Sequence, residues 1–282
     1  ALLLAPATAA AQRPRPIAGH AEPSAVIAAT SPSDWRAISP DNLLVMDLAD
    51  GGRVVIELAP AFAPVHVANI RALARGGWWR GATVYRVQEN YVAQWGNNSG
   101  RGALPQGVVE RPPAEYDRPL AGLRVTPLGS PDAYAPQAGF ADGWPVGLDR
   151  RTGRAWLAHC YAMVGVGRDM APDTGTGGEL YAVIGHAPRH LDRNIAVVGR
   201  VIEGIEHLSA LPRGTEALGF YKPGTNARRI LGIRLASQLA DEQRPSFQVM
   251  AETSASFAAY VRARANRKDD FFQVPAGGVD IC

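Results

Sequence analysis

The sequence predicts a mainly β protein built on a closed antiparallel barrel. Three observations carry this expectation. Short apolar runs recur between turn signals along most of the chain. Thirty glycines and 22 prolines make up nearly a fifth of the 282 residues, a turn density that argues against a helical bundle. Before the C-terminal tail, only two segments, 60–77 and 204–211, are patterned as helices. Many short strands with few helices fit a barrel, whose closure removes the exposed sheet edges.

The elements follow in order. Residues 43–48 and 53–58 are two apolar runs, and Asp50-Gly51-Gly52 between them supplies the positive-φ residues of a hairpin turn. The segment 60–77 carries Pro64 in a first helical turn, a stripe of Val67, Ile70 and Leu73, and a Gly76-Gly77 stop. Strand-like runs follow at 83–87 and 91–96. Residues 98–159 are rich in Gly and Pro, hold Trp144 and Trp156, and show little periodicity, so a long loop insertion is expected there. Strand patterning resumes at 161–167, 179–184 and 195–202, and ends at 229–236 after the short helix. In the tail from 237 to 282, Met250, Phe257, Tyr260 and Val261 lie at helical spacing, which predicts an added helix packed on the barrel.

The resulting division is a signal-peptide remnant at 1–11, a Pro/Ala/Ser-rich arm at 12–40, a barrel domain at 41–236 with its insertion, and a helical extension at 237–282. The remnant is read from Leu2-Leu3-Leu4, the break at Pro6 and the small-residue site Ala9-Ala10-Ala11. It implies a periplasmic or secreted protein; an Ala-rich tail is the alternative. Two cysteines, Cys160 and Cys282, allow one disulfide in such a compartment, or two unrelated thiols.

An apolar fraction of 46% supports a packed core and excludes wholesale disorder, and no run of apolar residues is long enough to span a membrane as a helix. All but two of the 29 basic residues are arginine, yet they are scattered and the net charge is only +3, so no nucleic-acid footprint forms. His186 and His190 stand four apart, but Pro188 lies between them and no third ligand is near in sequence. No metal or other cofactor is called for. No G-x-S-x-G elbow supports a hydrolase.

The run Thr83-Val84-Tyr85-Arg86-Val87-Gln88-Glu89-Asn90-Tyr91-Val92-Ala93-Gln94-Trp95-Gly96 resembles the active-site strand pair of cyclophilins, F-H-R-[VI]-x-x-x-F-[MV]-x-Q-x-G. The preceding hairpin and the helix with Asn69 also look like that family's N-terminal half. His190-Leu191-Asp192 and the run from Val198 to Gly204 are similar to its L-D-x-x-x-x-x-F-G-x-V-x-x-G segment. The resemblance covers about 42–116 and 160–236 and implies an eight-stranded barrel with two capping helices.

It also implies a peptidyl-prolyl cis–trans isomerase acting on proline-containing segments of secreted proteins; the alternative is a noncatalytic proline-peptide-binding module or holdase. By the same resemblance Arg86 and Gln94 are the catalytic pair. Tyr91, Val92, Glu179, Tyr181 and His190 are the expected substrate contacts. Tyr85 replaces the family's usual histidine, Glu179-Leu180-Tyr181 its Q-F-F run, His190 a common tryptophan and Ile195 a common histidine. Eight residues separate Arg86 from Gln94, an even number, so a strand–turn–strand can present both on one face.

Overall fold

The computed structural model describes residues 20–97, 102–223, 225 and 228–282. The expected signal remnant at 1–11 lies outside them. The described residues form two compact units, one of Trp35–Glu252 with Asp280–Cys282, the other of residues 20–34 with Thr253–Val279.

The larger unit is built on a closed barrel of eight antiparallel strands. Around the barrel the order is Met163–Val166, Leu180–Val183, Val92–Gly96, Thr83–Val87, Arg228–Leu235, Leu43–Leu48, Arg53–Leu58 and Val197–Glu203, which pairs back to the first. The first hairpin turns where the sequence places it. Gly51 takes φ 88°, and the Asp50 carboxylate accepts from the Gly52 N–H at 3.3 Å.

Leu43–Leu48 reads as a continuous apolar run because both faces are covered. Leu44, Met46 and Leu48 point into the barrel with Val54, Ile56 and Leu58. Leu43, Val45 and Val55 point outward into a second cluster with Ile38, Ala236 and Leu239. Val249 and Phe247 pack against that outer cluster. The chain reaches it by pairing Trp35–Ala37 with Gln248–Met250.

The helix Pro64–Arg75 carries Val67, Ile70, Leu73 and Ala74 in the barrel core. Its own N-cap residue, Ala63, offers no side-chain acceptor. Glu115 from the insertion supplies one instead, accepting from the Val65 and His66 backbone N–H groups at 2.9 Å each and from His66 Nδ1 at 2.7 Å. Asn69 ties the same helix to the insertion through Val109 N–H and Val109 C=O, both at 2.8 Å. The second helix is a single turn, Glu206–Ser209.

Over 98–159 the structure departs from the expected long loop. Five short strands form an antiparallel sheet in the order Arg118–Pro119, Arg154–Leu157, Trp144–Asp149, Gln137–Ala141, Thr126–Pro127. Its apolar residues, among them Trp144, Val146, Leu148 and Leu157, join Met163 and Val197 of the barrel in one buried cluster. Cys160 and Cys282 form a disulfide that holds the chain's last residues in this unit, with Ile281 buried beside it.

In the smaller unit the helices Pro23–Ala28 and Ala255–Ala265 lie together. The expected helix is present, with Ser254 capping it by accepting from the Phe257 N–H at 3.0 Å. Its expected extent is not: Met250 sits in the strand Gln248–Met250, and residues 237–252 belong to the barrel unit. The arm, read as aperiodic, contributes the short helix to this unit and the strand Trp35–Ala37 to the other.

Candidate active site

The site rests on the hairpin formed by Thr83–Val87 and Val92–Gly96. Its ladder pairs Thr83 with Gly96 and Val84 with Trp95, then shifts by one residue, so that Arg86 faces Gln94 and Val87 faces Ala93. Tyr85 is the extra residue of this β-bulge. Strict alternation would send Tyr85 and Arg86 to opposite faces; the bulge sends both outward. Val84, Val87, Ala93 and Trp95 fill the core on the other side.

Three acceptors hold the Arg86 guanidinium. Nε donates to the Leu218 carbonyl at 2.8 Å, Nη1 to Gln94 Oε1 at 3.0 Å, and Nη2 to Gln88 Oε1 at 2.6 Å. The rings of Phe220 and Tyr91 lie 5.5 Å and 5.9 Å from its carbon. Burial lowers its pKa, opposed by the neighbouring tyrosines, and a guanidinium still stays charged at any ordinary pH.

Donor counting fixes the amide of Gln94. The Tyr85 hydroxyl has one proton, which it donates to Glu179 Oε2 at 2.6 Å. It therefore accepts from Gln94 Nε2, also at 2.6 Å, and this leaves Oε1 turned to Arg86. Burial, then the hydrogen bond and charge of Glu179, push the Tyr85 pKa far up, so the hydroxyl keeps its proton. The Tyr85 ring stacks on Phe220 with centroids 6.0 Å apart. Gly96 makes room for this arrangement: a Cβ there would occupy the place of the Glu179 carboxylate.

An apolar patch adjoins the arginine. Val92, Tyr181 and Val183 are buried together, with Tyr91 and Ile195 packed against them. His190 is exposed and stacks on Tyr91, with centroids 6.1 Å apart and planes inclined by 7°. The barrel register aligns the parts. Arg86 pairs with Gln94, Gln94 with Tyr181, and Tyr181 with Gly165, forming a row across four neighbouring strands. Thus the residues expected from sequence gather in one region. Arg86, Gln94 and Tyr91 line it, His190 covers Tyr91, and Val92 and Tyr181 form its buried floor. Glu179 reaches the pair through Tyr85.

Sequence reasoning gave no role to Tyr85, Gln88, Leu218 or Phe220. Leu218 and Phe220 come from a loop more than 120 residues beyond the hairpin, where Leu218 takes φ 59° and Phe220 bridges to Arg86. No local signal marks that loop. Tyr85 stood beside the arginine in sequence, and only the bulge makes it a neighbour in space. Sequence reasoning also missed the buried polar residues behind Tyr181, namely His159, Asp192 and Arg189.

Comparison with known proteins identifies the family. The family model described as cyclophilin type peptidyl-prolyl cis-trans isomerase/CLD matches residues 43–231. A protein of Brucella suis named probable peptidyl-prolyl cis-trans isomerase is 25% identical over 181 residues, covering 64% of this chain and 76% of its own. Peptidyl-prolyl cis-trans isomerase B of Bacillus subtilis is 26% identical over 167 residues, 59% of this chain and 88% of its own. The crystal structure of the cyclophilin AquaCyp293 from Hirschia baltica superposes with a TM-score of 0.68 at 27% identity, covering 91% of this chain and 96% of that one. The chain is an enzyme of the cyclophilin-type peptidyl-prolyl cis–trans isomerase family.

Proposed function

We propose that this chain isomerises X-Pro bonds in exported polypeptides, with Arg86 stabilising the twisted amide. The barrier to be lowered, about 18–20 kcal/mol, comes from amide resonance. Twisting the bond breaks that resonance, and the prolyl nitrogen becomes pyramidal with a localised lone pair. A donor aimed at that nitrogen binds it well only in the twisted state. Such differential binding speeds the reaction without a nucleophile or a proton transfer.

Arg86 suits this role because its guanidinium is already oriented. Among the described residues, three of its five N–H groups have acceptors, which leaves one on each terminal nitrogen. The patch of Tyr91, Val92, Tyr181 and Ile195 is the seat for the prolyl ring, with His190 at its rim. Gln94 braces the arginine, and Glu179 acts on Gln94 through Tyr85. The observation that carries the reading is the cross-strand pair Arg86–Gln94 set beside an apolar patch.

Export is supported by the apolar and small-residue run at 2–11 and by the Cys160–Cys282 bridge, since disulfides persist in oxidising compartments. The test is a cis–trans assay on a proline peptide. Wild type accelerates exchange, and Arg86→Ala loses about 10²–10³ of that efficiency, as when one transition-state donor is removed elsewhere. Wild type that binds the peptide without accelerating exchange would make the protein a binding module.

A further inference from the structure

The insertion ends one arm of a buried polar chain whose other end is the floor of the candidate pocket. The Asp132 carboxylate accepts both terminal nitrogens of Arg189, at 2.8 Å and 3.0 Å. Arg189 Nε donates to Asp192 Oδ2 at 2.6 Å. Asp192 Oδ1 accepts from the His159 backbone N–H at 2.9 Å and from its Nδ1 at 3.0 Å. His159 Nε2 lies 3.0 Å from the Tyr181 hydroxyl. Arg189, Asp192, His159 and Tyr181 are all buried, and only 9% of the Asp132 side chain is exposed.

His159 turns Nδ1 to the Asp192 carboxylate, which leaves Nε2 to share a hydrogen bond with the Tyr181 hydroxyl. The Tyr181 ring reaches His159 by lying across the neighbouring strand at Gly165, where a Cβ would collide with it. Tyr181 is also the cross-strand partner of Gln94, so the same ring adjoins the catalytic row. The insertion grips a second wall as well. The Tyr134 ring lies 5.3 Å from the Arg189 guanidinium carbon, and the residue after Arg189 is His190, stacked on Tyr91.

We infer that Asp132 and Tyr134 of the insertion are positioning residues for the prolyl pocket, acting through Arg189, Asp192 and His159 on Tyr181 and His190. This rests on the proposed isomerase function. A buried ionic chain is weak as a source of stability, because desolvation offsets most of the attraction. What this chain supplies is a fixed place for two aromatic walls. Both walls contact the prolyl ring equally in the ground and twisted states, so loosening them weakens substrate binding and leaves the turnover of bound substrate unchanged.

The test uses Asp132→Asn, which keeps the shape and one acceptor, and Tyr181→Phe, which cuts the other end by one atom. Both are compared with wild type for thermal stability, for proline-peptide Kd by titration, and for exchange of the saturated peptide. Folded Asp132→Asn is expected to raise Kd about tenfold and keep saturated exchange within about twofold, and Tyr181→Phe to raise Kd by a similar factor. The double variant is expected to be no worse than the weaker-binding single, because both substitutions break one chain. The His159 imidazole nitrogen resonances report the chain itself and are expected to shift in Asp132→Asn. A folded Asp132→Asn with wild-type Kd, or fully additive losses in the double variant, would overturn the inference. If wild type bound the peptide without accelerating exchange, the proposed function would fail alone, and the Kd and imidazole readouts would still decide on the chain. Unmoved imidazole signals in Asp132→Asn would refute it even for a variant too unstable for titration.

Discussion

Tyr85→Phe removes a single oxygen and tests whether catalysis depends on how Gln94 is turned. The hydroxyl makes two hydrogen bonds of 2.6 Å, one of them to a carboxylate. The phenyl ring would keep its stack on Phe220, so packing is conserved. With the hydroxyl gone, only the 3.0 Å bond to Arg86 Nη1 resists a flip of the Gln94 amide, and the flipped form sets donor against donor. A net hydrogen bond contributes about 0.5–1.5 kcal/mol. Losing that much orientation costs at most about tenfold in rate. In the cis–trans assay the variant should therefore lose about three- to tenfold in kcat/KM. In an Arg86→Ala background it should lose nothing further, because the chain then has no guanidinium to orient. Wild-type efficiency in Tyr85→Phe, or an equal loss in both backgrounds, would refute the reasoning.

Three further outcomes are expected. Replacing Cys160 and Cys282 by serine frees a bridge between residues 122 apart, and chain entropy puts the loss at about 5 kcal/mol or less, read from denaturant unfolding with and without reductant. Native protein from its own compartment should carry no alkylatable thiol. Glu115→Ala removes the only side-chain acceptor at the start of the helix Pro64–Arg75 among the described residues, which should cost about 1–2 kcal/mol of stability. Asp132 is titrated in the folded state below its ordinary value: burial raises its pKa, but hydrogen bonds from Arg189 and from the Tyr134 and Ala135 backbone, with the Arg189 charge, outweigh it. A lowered carboxyl pKa gives stability that is complete above the unfolded value near 4 and disappears as pH falls through the folded one. The stability gap between wild type and Asp132→Asn should thus be steady from about pH 6 to 5 and shrink below about pH 4. A gap that widened in acid would contradict the pairing.

Local patterns made the barrel legible. The first hairpin, the Pro64–Arg75 helix and the Arg86–Gln94 strand pair are all set by residues close in sequence. Three things were not legible, for three physical reasons. The bulge at Tyr85 inserts one residue into a ladder, and the run Thr83–Val87 reads the same with or without it. The sheet in the insertion uses strands interrupted by Gly139, Pro145 and Gly147, which look like loop until their few apolar residues meet the barrel at Met163 and Val197. The strand Trp35–Ala37 exists only through its partner more than 200 residues away. The site followed the same rule. Arg86, Gln94 and Tyr91 lie within nine residues and were found; Leu218, Phe220 and the chain from Asp132 to Tyr181 are assembled by tertiary contacts.

The central claim is that Arg86 binds the twisted amide better than the planar one. It is tested most directly by measuring both quantities on one sample, by exchange NMR of a proline peptide titrated with wild type or Arg86→Ala. The account predicts that cis–trans exchange at saturation falls by about 10²–10³ in the variant, while peptide Kd changes by less than about fivefold. Equal exchange at saturation in the two proteins, with the whole difference appearing in Kd, would show that Arg86 only holds the substrate and would contradict the account.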